Sequence, residues 1–169
     1  LTMSETDTKI LNDLRILVVD DERDILETIE DLLDGSDVAA VDNYQSALDT
    51  IRAQHLDLAV LDIMGVNGMQ LLNDTVALGI PTVMLTAHSL NPETLRESLD
   101  AGALAYLPKE ELSNLDTFLA DIVETHRAGQ STTALLFDKL GKFFDRAFGN
   151  QWARDDIDVW QAYGYLPPF

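Results

Sequence analysis

The sequence predicts a doubly wound α/β domain with a five-stranded parallel sheet and a helical C-terminal extension. Five short apolar segments alternate with segments that have the 3.6-residue period of amphipathic helices, and the connections are short. The apolar segments are continuous rather than alternating, which is typical of strands buried on both faces of a parallel sheet. Polar residues follow several of these segments, at the strand ends where open α/β sheets bind ligands.

The first two strands are each followed by a helical pattern. Arg15–Asp21 (RILVVDD) is predicted as a strand that ends in two carboxylates, and Glu22–Asp34 as a helix that Gly35 terminates. Val38–Val41 is a second, shorter strand. Asn43 has the side chain of a helix N-cap, so the next helix should begin directly after it.

The rest of the domain repeats this pattern. A third strand begins at Leu58 and ends in Asp62, and the helix after it should turn Met69, Leu72 and Val76 inward. The remaining elements are predicted as a strand at Pro81–Thr86, a helix at Pro92–Ala101, a strand at Leu104–Leu107 and a long helix at Glu111–Ala128.

Composition limits the classes of function. The net charge is −19, and residues 1–130 hold 25 acidic residues against 7 basic ones. Such a field repels phosphate backbones, so we expect no nucleic-acid binding by this domain. The absence of cysteine excludes disulfides and thiolate chemistry. No apolar segment approaches the roughly 20 residues of a membrane span and no signal-peptide core is found, so we expect a cytoplasmic protein.

Polar side chains at four strand ends form a candidate site, which comprises Asp20–Asp21, Asp62, Thr86 and Lys109. The carboxyl ends of parallel strands lie on one edge, so these groups can converge. Three neighbouring carboxylates repel one another unless a hard cation neutralises them, and oxygen ligands suit Mg²⁺. With a lysine and a hydroxyl nearby, the set matches phosphoryl transfer, in which a carboxylate attacks phosphorus while cations stabilise the equatorial oxygens.

These residues resemble the receiver domains of bacterial two-component response regulators, over about residues 14–128. The resemblance is carried by the pair Asp20–Asp21, by Asp62 after an apolar strand, by Thr86–Ala87 after PTVML, and by Lys109 after AYLP. Tyr106, three residues before the lysine, matches the family's switch aromatic. The resemblance implies the flavodoxin-like (CheY-like) fold with strand order 2-1-3-4-5.

The resemblance also implies a role for each residue. Asp62 would accept a phosphoryl group from a sensor histidine kinase or a phosphotransfer protein, and the signal would pass to a downstream protein partner. Thr86 and Lys109 would contact the phosphoryl oxygens, and Thr86 with Tyr106 would form the switch. Mg²⁺ would be held by Asp20 (through a water), Asp21, Asp62 and the backbone carbonyl of Met64.

Two stretches depart from the family pattern. The family usually reads Asp-x-x-Met-Pro and has a glycine eight residues after the aspartate, whereas here Gly68 follows Asp62 by six and the Met-Pro pair is missing. The loop beside the metal site is therefore about two residues shorter. The family also commonly has Lys-Pro, whereas Glu110 follows Lys109 here, which leaves the direction of the lysine open.

Other interpretations stay open at this point. Each residue taken alone has a simpler structural interpretation. Asp20–Asp21 could cap a helix, and Thr86 could be an ordinary hydroxyl at a strand end. Lys109 could be a surface lysine, and Tyr106 could be a half-buried aromatic. The shortened loop allows a pseudo-receiver that binds partners without phosphorylation. A Mg²⁺-dependent phosphatase of the haloacid-dehalogenase type is a third class, but its Asp-x-Asp pattern is absent both at Asp20–Asp21 and at Asp62.

Residues 131–169 are predicted as an aromatic-rich helical tail. A first helix should begin at Ser131 or Thr132 and end at Ala147, and a second should occupy Gln151–Ala162. The tail is too short for a winged-helix DNA-binding domain, so we expect a stand-alone response regulator. The tail either packs on the receiver or forms a homodimer or partner surface. Nine of the chain's twelve aromatic residues lie in it: Phe137, Phe143, Phe144, Phe148, Trp152, Trp160, Tyr163, Tyr165 and Phe169.

Overall fold

The computed structural model describes residues 8–87 and 90–167, and its centre is a five-stranded, all-parallel sheet. The strands lie in the order β2-β1-β3-β4-β5, so the predicted doubly wound sheet and its strand order are confirmed. The central strands β3 and β4 are buried along their whole length. The five strands are β1 (Arg15–Val19), β2 (Asp37–Val41), β3 (Leu58–Asp62), β4 (Thr82–Thr86) and β5 (Ala105–Pro108).

Helices follow the strands and cover the sheet. The receiver helices are α1 (Arg23–Leu32), α2 (Tyr44–Ala53), α3 (Gly68–Ala77), α4 (Pro92–Asp100) and α5 (Leu115–Arg127). Two 3₁₀ segments, Lys9–Leu11 and Lys109–Asn114, precede β1 and α5. The tail contributes α6 (Thr132–Phe148) and α7 (Ile157–Ala162). None of the described helices combines the length and the apolar character needed to cross a membrane.

Several helix starts follow from capping side chains. Asn43 accepts a hydrogen bond from the Ser46 backbone N–H at 2.9 Å, and Ser131 accepts one from Ala134 at 3.1 Å. Each bond satisfies a backbone donor that the first turn of a helix leaves unpaired. The predicted starts of α2 and α6 are therefore confirmed.

One residue of the predicted inward face of α3 is exposed. Leu72 is buried and Met69 packs against the core, as predicted, whereas Val76 is exposed. Leu71 and Thr75 are buried in addition. The helix begins at Gly68, which packs directly on the backbone of Asp62.

The two ends of the described chain contain short helical segments. Before β1, Leu11 is buried and the segment Lys9–Leu11 packs near α5. The second tail helix begins at Ile157 rather than at Gln151, after a series of turns. The Trp152 indole N–H donates to Asp145 Oδ1 at 2.8 Å, so this segment is held on α6.

The tail packs on the receiver, as one of the two alternatives predicted. Helix α6 lies against β5 and α5, and its buried residues include Phe137 and Phe144. We call the rings that contact one another in the tail the aromatic cluster; Phe169 lies outside the described residues. The aromatic cluster consists of Phe137, Phe143, Phe144, Phe148, Trp152, Trp160, Tyr163 and Tyr165.

Polar contacts connect the same tail to the receiver helices. Arg96 on α4 pairs with Asp156 at 3.4 Å, and Asp100 on α4 accepts a hydrogen bond from the Tyr163 hydroxyl. Lys139 on α6 pairs with Asp121 on α5. The tail therefore covers the face of the receiver formed by α4, β5 and α5, which we call the tail-binding face.

Candidate functional site

Three side chains meet in a buried cluster at the carboxyl edge of the sheet. Asp20 directly follows β1, Asp62 is the last residue of β3, and Lys109 directly follows β5. The Lys109 Nζ lies 2.8 Å from Asp20 Oδ2 and 3.3 Å from Asp62 Oδ2. The lysine, whose direction the sequence left open, therefore points into the candidate site.

Glu22 belongs to the same cluster and was missed in the sequence. Its Oε1 lies 3.2 Å from the Lys109 Nζ, and its backbone N–H donates to Asp20 Oδ1 at 2.9 Å. The N-cap of α1 is Glu22 and no side chain caps the helix, so the interpretation of Asp20–Asp21 as a helix cap was wrong. The available signal was that Glu22 directly follows the acidic pair, but nothing local connected it to a lysine 87 residues away.

The three predicted aspartates are close enough to share a cation. One carboxylate oxygen from each of Asp20, Asp21 and Asp62 lies within 4.8 Å of the others. Asp21 is exposed and the other two are buried. Asp20 Oδ2 pairs with the lysine ammonium but receives no hydrogen bond of acceptable geometry from the described residues. A buried, incompletely satisfied carboxylate among oxygen donors fits a hard cation such as Mg²⁺.

The electrostatics of the cluster favour an added positive charge. Burial, together with the negative charges of Asp20 and Asp21, raises the pKa of Asp62 to about 6, although Lys109 opposes this. Burial likewise raises the pKa of Asp20. Burial alone would lower the pKa of Lys109, but its carboxylate partners outweigh that effect and raise it. One ammonium group therefore leaves the carboxylates only partly compensated.

The shortened loop after β3 lies directly against the site. Gly65 has φ +86°, and a Cβ atom added there would come within 2.3 Å of Asp21 Oδ2. A Cβ atom on Gly68 would come within 2.0 Å of the Asp62 carbonyl oxygen. At Gly68 a larger residue would clash with backbone, whereas at Gly65 it would displace the Asp21 carboxylate and be strained by the positive φ. Met64 has an exposed side chain, and its carbonyl stays a predicted ligand.

The two predicted switch residues lie next to each other. Thr86 is buried at the end of β4, beside Pro108 of β5. Tyr106 is fully buried, so its interpretation as a half-buried aromatic was wrong. Its hydroxyl lies 2.7 Å from Thr94 Oγ1 on α4. Burial raises the pKa of Tyr106, while hydrogen bonds with Thr94 and Thr86 lower it in part.

Comparison with known proteins identifies the class. Residues 16–120 match the family described as response regulator receiver domain, and the chain belongs to that family. The transcriptional regulatory protein ZraR of Escherichia coli (strain K12) is 33% identical over 138 residues, which are 77% of this chain and 31% of ZraR. The response regulator MprA of Mycolicibacterium vanbaalenii is 33% identical over 138 residues, 75% of this chain and 59% of MprA. The chain therefore spans between about a third and three fifths of these relatives.

Solved structures agree with this assignment. NtrX from Brucella abortus, solved with ADP, superposes with a TM-score of 0.61 at 27% identity, over 73% of this chain and 30% of NtrX. A response regulator from Thermotoga maritima has the same fold, with a TM-score of 0.60 at 24% identity over 66% of this chain and 98% of its own. Response regulators are signalling proteins of two-component systems, partners of histidine kinases, and their receiver domains accept phosphoryl groups.

Proposed function

We propose that this chain is a Mg²⁺-dependent phosphoacceptor, in which Asp62 takes a phosphoryl group from a sensor histidine kinase or a phosphotransfer protein. One observation carries the proposal: Asp62 lies at a strand end, 3.3 Å from a buried ammonium and beside two further carboxylates. That arrangement supplies a nucleophile, a fixed cation and a set of metal ligands in one place. The roles of Asp62, Thr86 and Lys109 and the dependence on Mg²⁺ belong to the same proposal.

The proposed reaction needs little covalent chemistry from the protein. A carboxylate oxygen of Asp62 attacks the phosphorus of a phosphohistidine; the O–P bond forms while the P–N bond breaks, and the nitrogen keeps the electron pair and takes up a proton. With a pKa of about 6, Asp62 is mostly ionised at pH 7. Lys109 would compensate the charge on one phosphoryl oxygen, and the Thr86 hydroxyl would donate to another.

A bound Mg²⁺ ion would complete the phosphoacceptor site. Asp20, Asp21, Asp62 and the carbonyl of Met64 would hold Mg²⁺, which neutralises the negative charge that the phosphoryl group adds to this acidic cluster. The protein would thereby assist its own phosphorylation and dephosphorylation, without acting as an enzyme on a separate substrate.

The output would be a protein contact. We assign residues 14–128 to the receiver and residues 131–169 to a helical tail that is not an independent DNA-binding domain. The excess of acidic residues disfavours nucleic acid as a partner. Either a downstream protein or a second copy of the chain, in a homodimer, would receive the signal. The cytoplasm is the usual place for such a protein.

A second candidate function is a pseudo-receiver that binds its partner without phosphorylation. One observation favours it: Gly65 lies so close to Asp21 that the shortened loop narrows the metal side of the site. A site that cannot admit Mg²⁺ and a phosphoryl group would keep the fold and lose the reaction.

Beryllium fluoride, a stable analogue of the phosphoryl group, separates the two candidates. We expect it to bind in the presence of Mg²⁺ and not in its absence, as measured by titration calorimetry. The Asp62→Asn variant should fail to bind it, because the amide cannot coordinate beryllium as the carboxylate does. Binding that survives this substitution would refute the assignment of Asp62, and no binding to the unsubstituted chain would favour the pseudo-receiver.

A further inference from the structure

We propose that Glu22 is a positioning residue for the phosphoacceptor site: it holds the Lys109 ammonium in the free chain and releases it to an oxygen of the bound phosphoryl group. The inference rests on the function proposed above and deepens it. It names the contact that Lys109 gives up when the site is occupied, and it makes Glu22 a residue that limits the affinity of the site for a phosphoryl group.

Three carboxylates surround the ammonium of Lys109 in the free chain. The Lys109 Nζ lies 2.8 Å from Asp20 Oδ2, 3.2 Å from Glu22 Oε1 and 3.3 Å from Asp62 Oδ2. An ammonium group has three N–H donors, so three carboxylates are enough to occupy all of them. A phosphoryl oxygen that contacts Lys109 therefore replaces one of these partners.

Exposure decides which partner is replaced. The Glu22 side chain is 52% exposed, whereas the side chains of Asp20 and Asp62 are 0% and 6% exposed. Loss of the ammonium is costly for a buried carboxylate, because the remaining charge is not solvated by water. An exposed carboxylate is hydrated on release, and its ion pair contributes little to stability. The contact with Glu22 is thus the one that is most easily exchanged.

The position of Glu22 indicates that its side chain is not needed to form the helix. Glu22 is the N-cap of α1, but its side chain makes no capping hydrogen bond. Ser, Thr, Asp and Asn are the preferred N-cap residues, because their side-chain oxygens accept from the first backbone N–H groups. The Glu22 carboxylate instead accepts a hydrogen bond from Lys109, 87 residues further along the chain. Substitution of Glu22 therefore removes this contact without removing a helix cap.

Glu22→Gln and Asp24→Asn are matched variants of the full-length chain. Each removes one negative charge from an exposed side chain near the start of α1, but the three carboxylates that contact Lys109 do not include Asp24. Calorimetry measures the affinity for beryllium fluoride at saturating Mg²⁺, and separately the affinity for Mg²⁺ alone. We expect Glu22→Gln to bind beryllium fluoride about threefold more tightly than Asp24→Asn, which corresponds to the strength of an ion pair with one exposed partner. The Mg²⁺ affinities of the two variants should agree within about twofold, since neither residue is a proposed ligand.

Carbon-13 spectra of the lysine side chains follow the contact itself. The chain has four lysines, so the signal of the Lys109 Cε can be assigned by its absence from Lys109→Arg. We expect Glu22→Gln to shift this signal in the free chain. With beryllium fluoride and Mg²⁺ bound, the signal should coincide with that of the unsubstituted chain, because the contact is then absent from both. Asp24→Asn should leave the signal unchanged in either state.

The inference and the proposed function fail in distinguishable ways. If the unsubstituted chain does not bind beryllium fluoride, the proposed function is wrong. If it binds, and the two variants bind it equally well, Glu22 does not limit phosphoryl binding. If Glu22→Gln leaves the Lys109 signal of the free chain unchanged, Glu22 does not hold the ammonium. If it still shifts the signal of the bound chain, Lys109 keeps Glu22 and releases another carboxylate, which also overturns the inference.

Discussion

Gly65 lies against the carboxylate of Asp21, so closely that a Cβ atom on the glycine would come within 2.3 Å of Asp21 Oδ2. The loop that contains Gly65 is the stretch that departs most from the usual receiver pattern. The backbone of this loop passes directly beside the Asp21 carboxylate. The glycine leaves the Asp21 side chain in its present position, since a Cβ atom there would have to displace the carboxylate.

We predict that Gly65→Ala weakens Mg²⁺ binding about tenfold, because the new methyl group must displace the Asp21 carboxylate. Gly79→Ala is the matched control: Gly79 also has a positive φ, +73°, but nothing lies within 4 Å of its Cβ position. Both variants should lose about 1 kcal/mol of stability from backbone strain. Calorimetry should show a weaker Mg²⁺ affinity for Gly65→Ala than for Gly79→Ala. Equal affinities in the two variants would show that Asp21 is not a ligand.

Mg²⁺ should stabilise the folded chain, because it relieves repulsion among the three aspartates. At ten times its Kd the cation should raise the free energy of unfolding by about 1.4 kcal/mol, which corresponds to a rise in Tm of about 3–6 °C. Asp21→Asn should abolish this rise and, without Mg²⁺, should itself raise the Tm. An unchanged Tm of the unsubstituted chain at millimolar Mg²⁺ would contradict the metal site.

Phosphoryl binding should tighten the tail, because coupling between two binding equilibria is reciprocal. Tyr106 contacts both Phe144 of the tail and the Thr86 side chain, so a phosphoryl group that orders Thr86 should also favour the docked tail. Hydrogen exchange across residues 131–163 should therefore slow when beryllium fluoride and Mg²⁺ are added. If neither the exchange rate nor the oligomer mass changed, the tail would be a structural cover without a part in signalling. Faster exchange would mean that phosphoryl binding weakens tail docking, the opposite of the prediction.

Tyr165 should contribute to a loss of stability of the folded chain in alkali. Burial and the hydrogen bond to Asp145 raise the pKa of Tyr165 from 10.0 to about 12. The folded chain holds this proton more tightly than the unfolded chain, so the contribution to stability is intact below pH 10 and declines as the pH rises to about 12. Urea unfolding at pH 9, 10 and 11 should show a smaller decline for Tyr165→Phe. If the free energy of unfolding fell equally with pH in the unsubstituted chain and in Tyr165→Phe, this role of Tyr165 would be contradicted.

Much of the fold could be read from local patterns. Continuous apolar runs ended by carboxylates placed β1 and β3, and the capping side chain of Asn43 placed the start of α2. Asp20, Asp62 and Lys109 were predicted to converge because parallel strands end on one edge, and the structure brings them together. These features depend on residues close in sequence or on topology alone.

The features that were missed depend on contacts between distant segments. Tyr106 is fully buried and its ring contacts Phe144 of α6, a contact that no pattern around the tyrosine could indicate. The ion pair between Glu22 and Lys109 connects the ends of two strands that are far apart in the chain. The exposure of Val76 and the burial of Thr75 on α3 depend on how that helix packs, which residue spacing alone does not reveal.

The central claim is that Asp62 is the phosphoacceptor, and acetyl phosphate tests it without knowledge of the kinase. The chain should be incubated with acetyl phosphate and Mg²⁺ and its intact mass measured, in parallel with Asp62→Asn. We predict one added phosphoryl group on the unsubstituted chain, none without Mg²⁺ and none on the variant. An unchanged mass of the unsubstituted chain, or an equal gain on Asp62→Asn, would contradict the account.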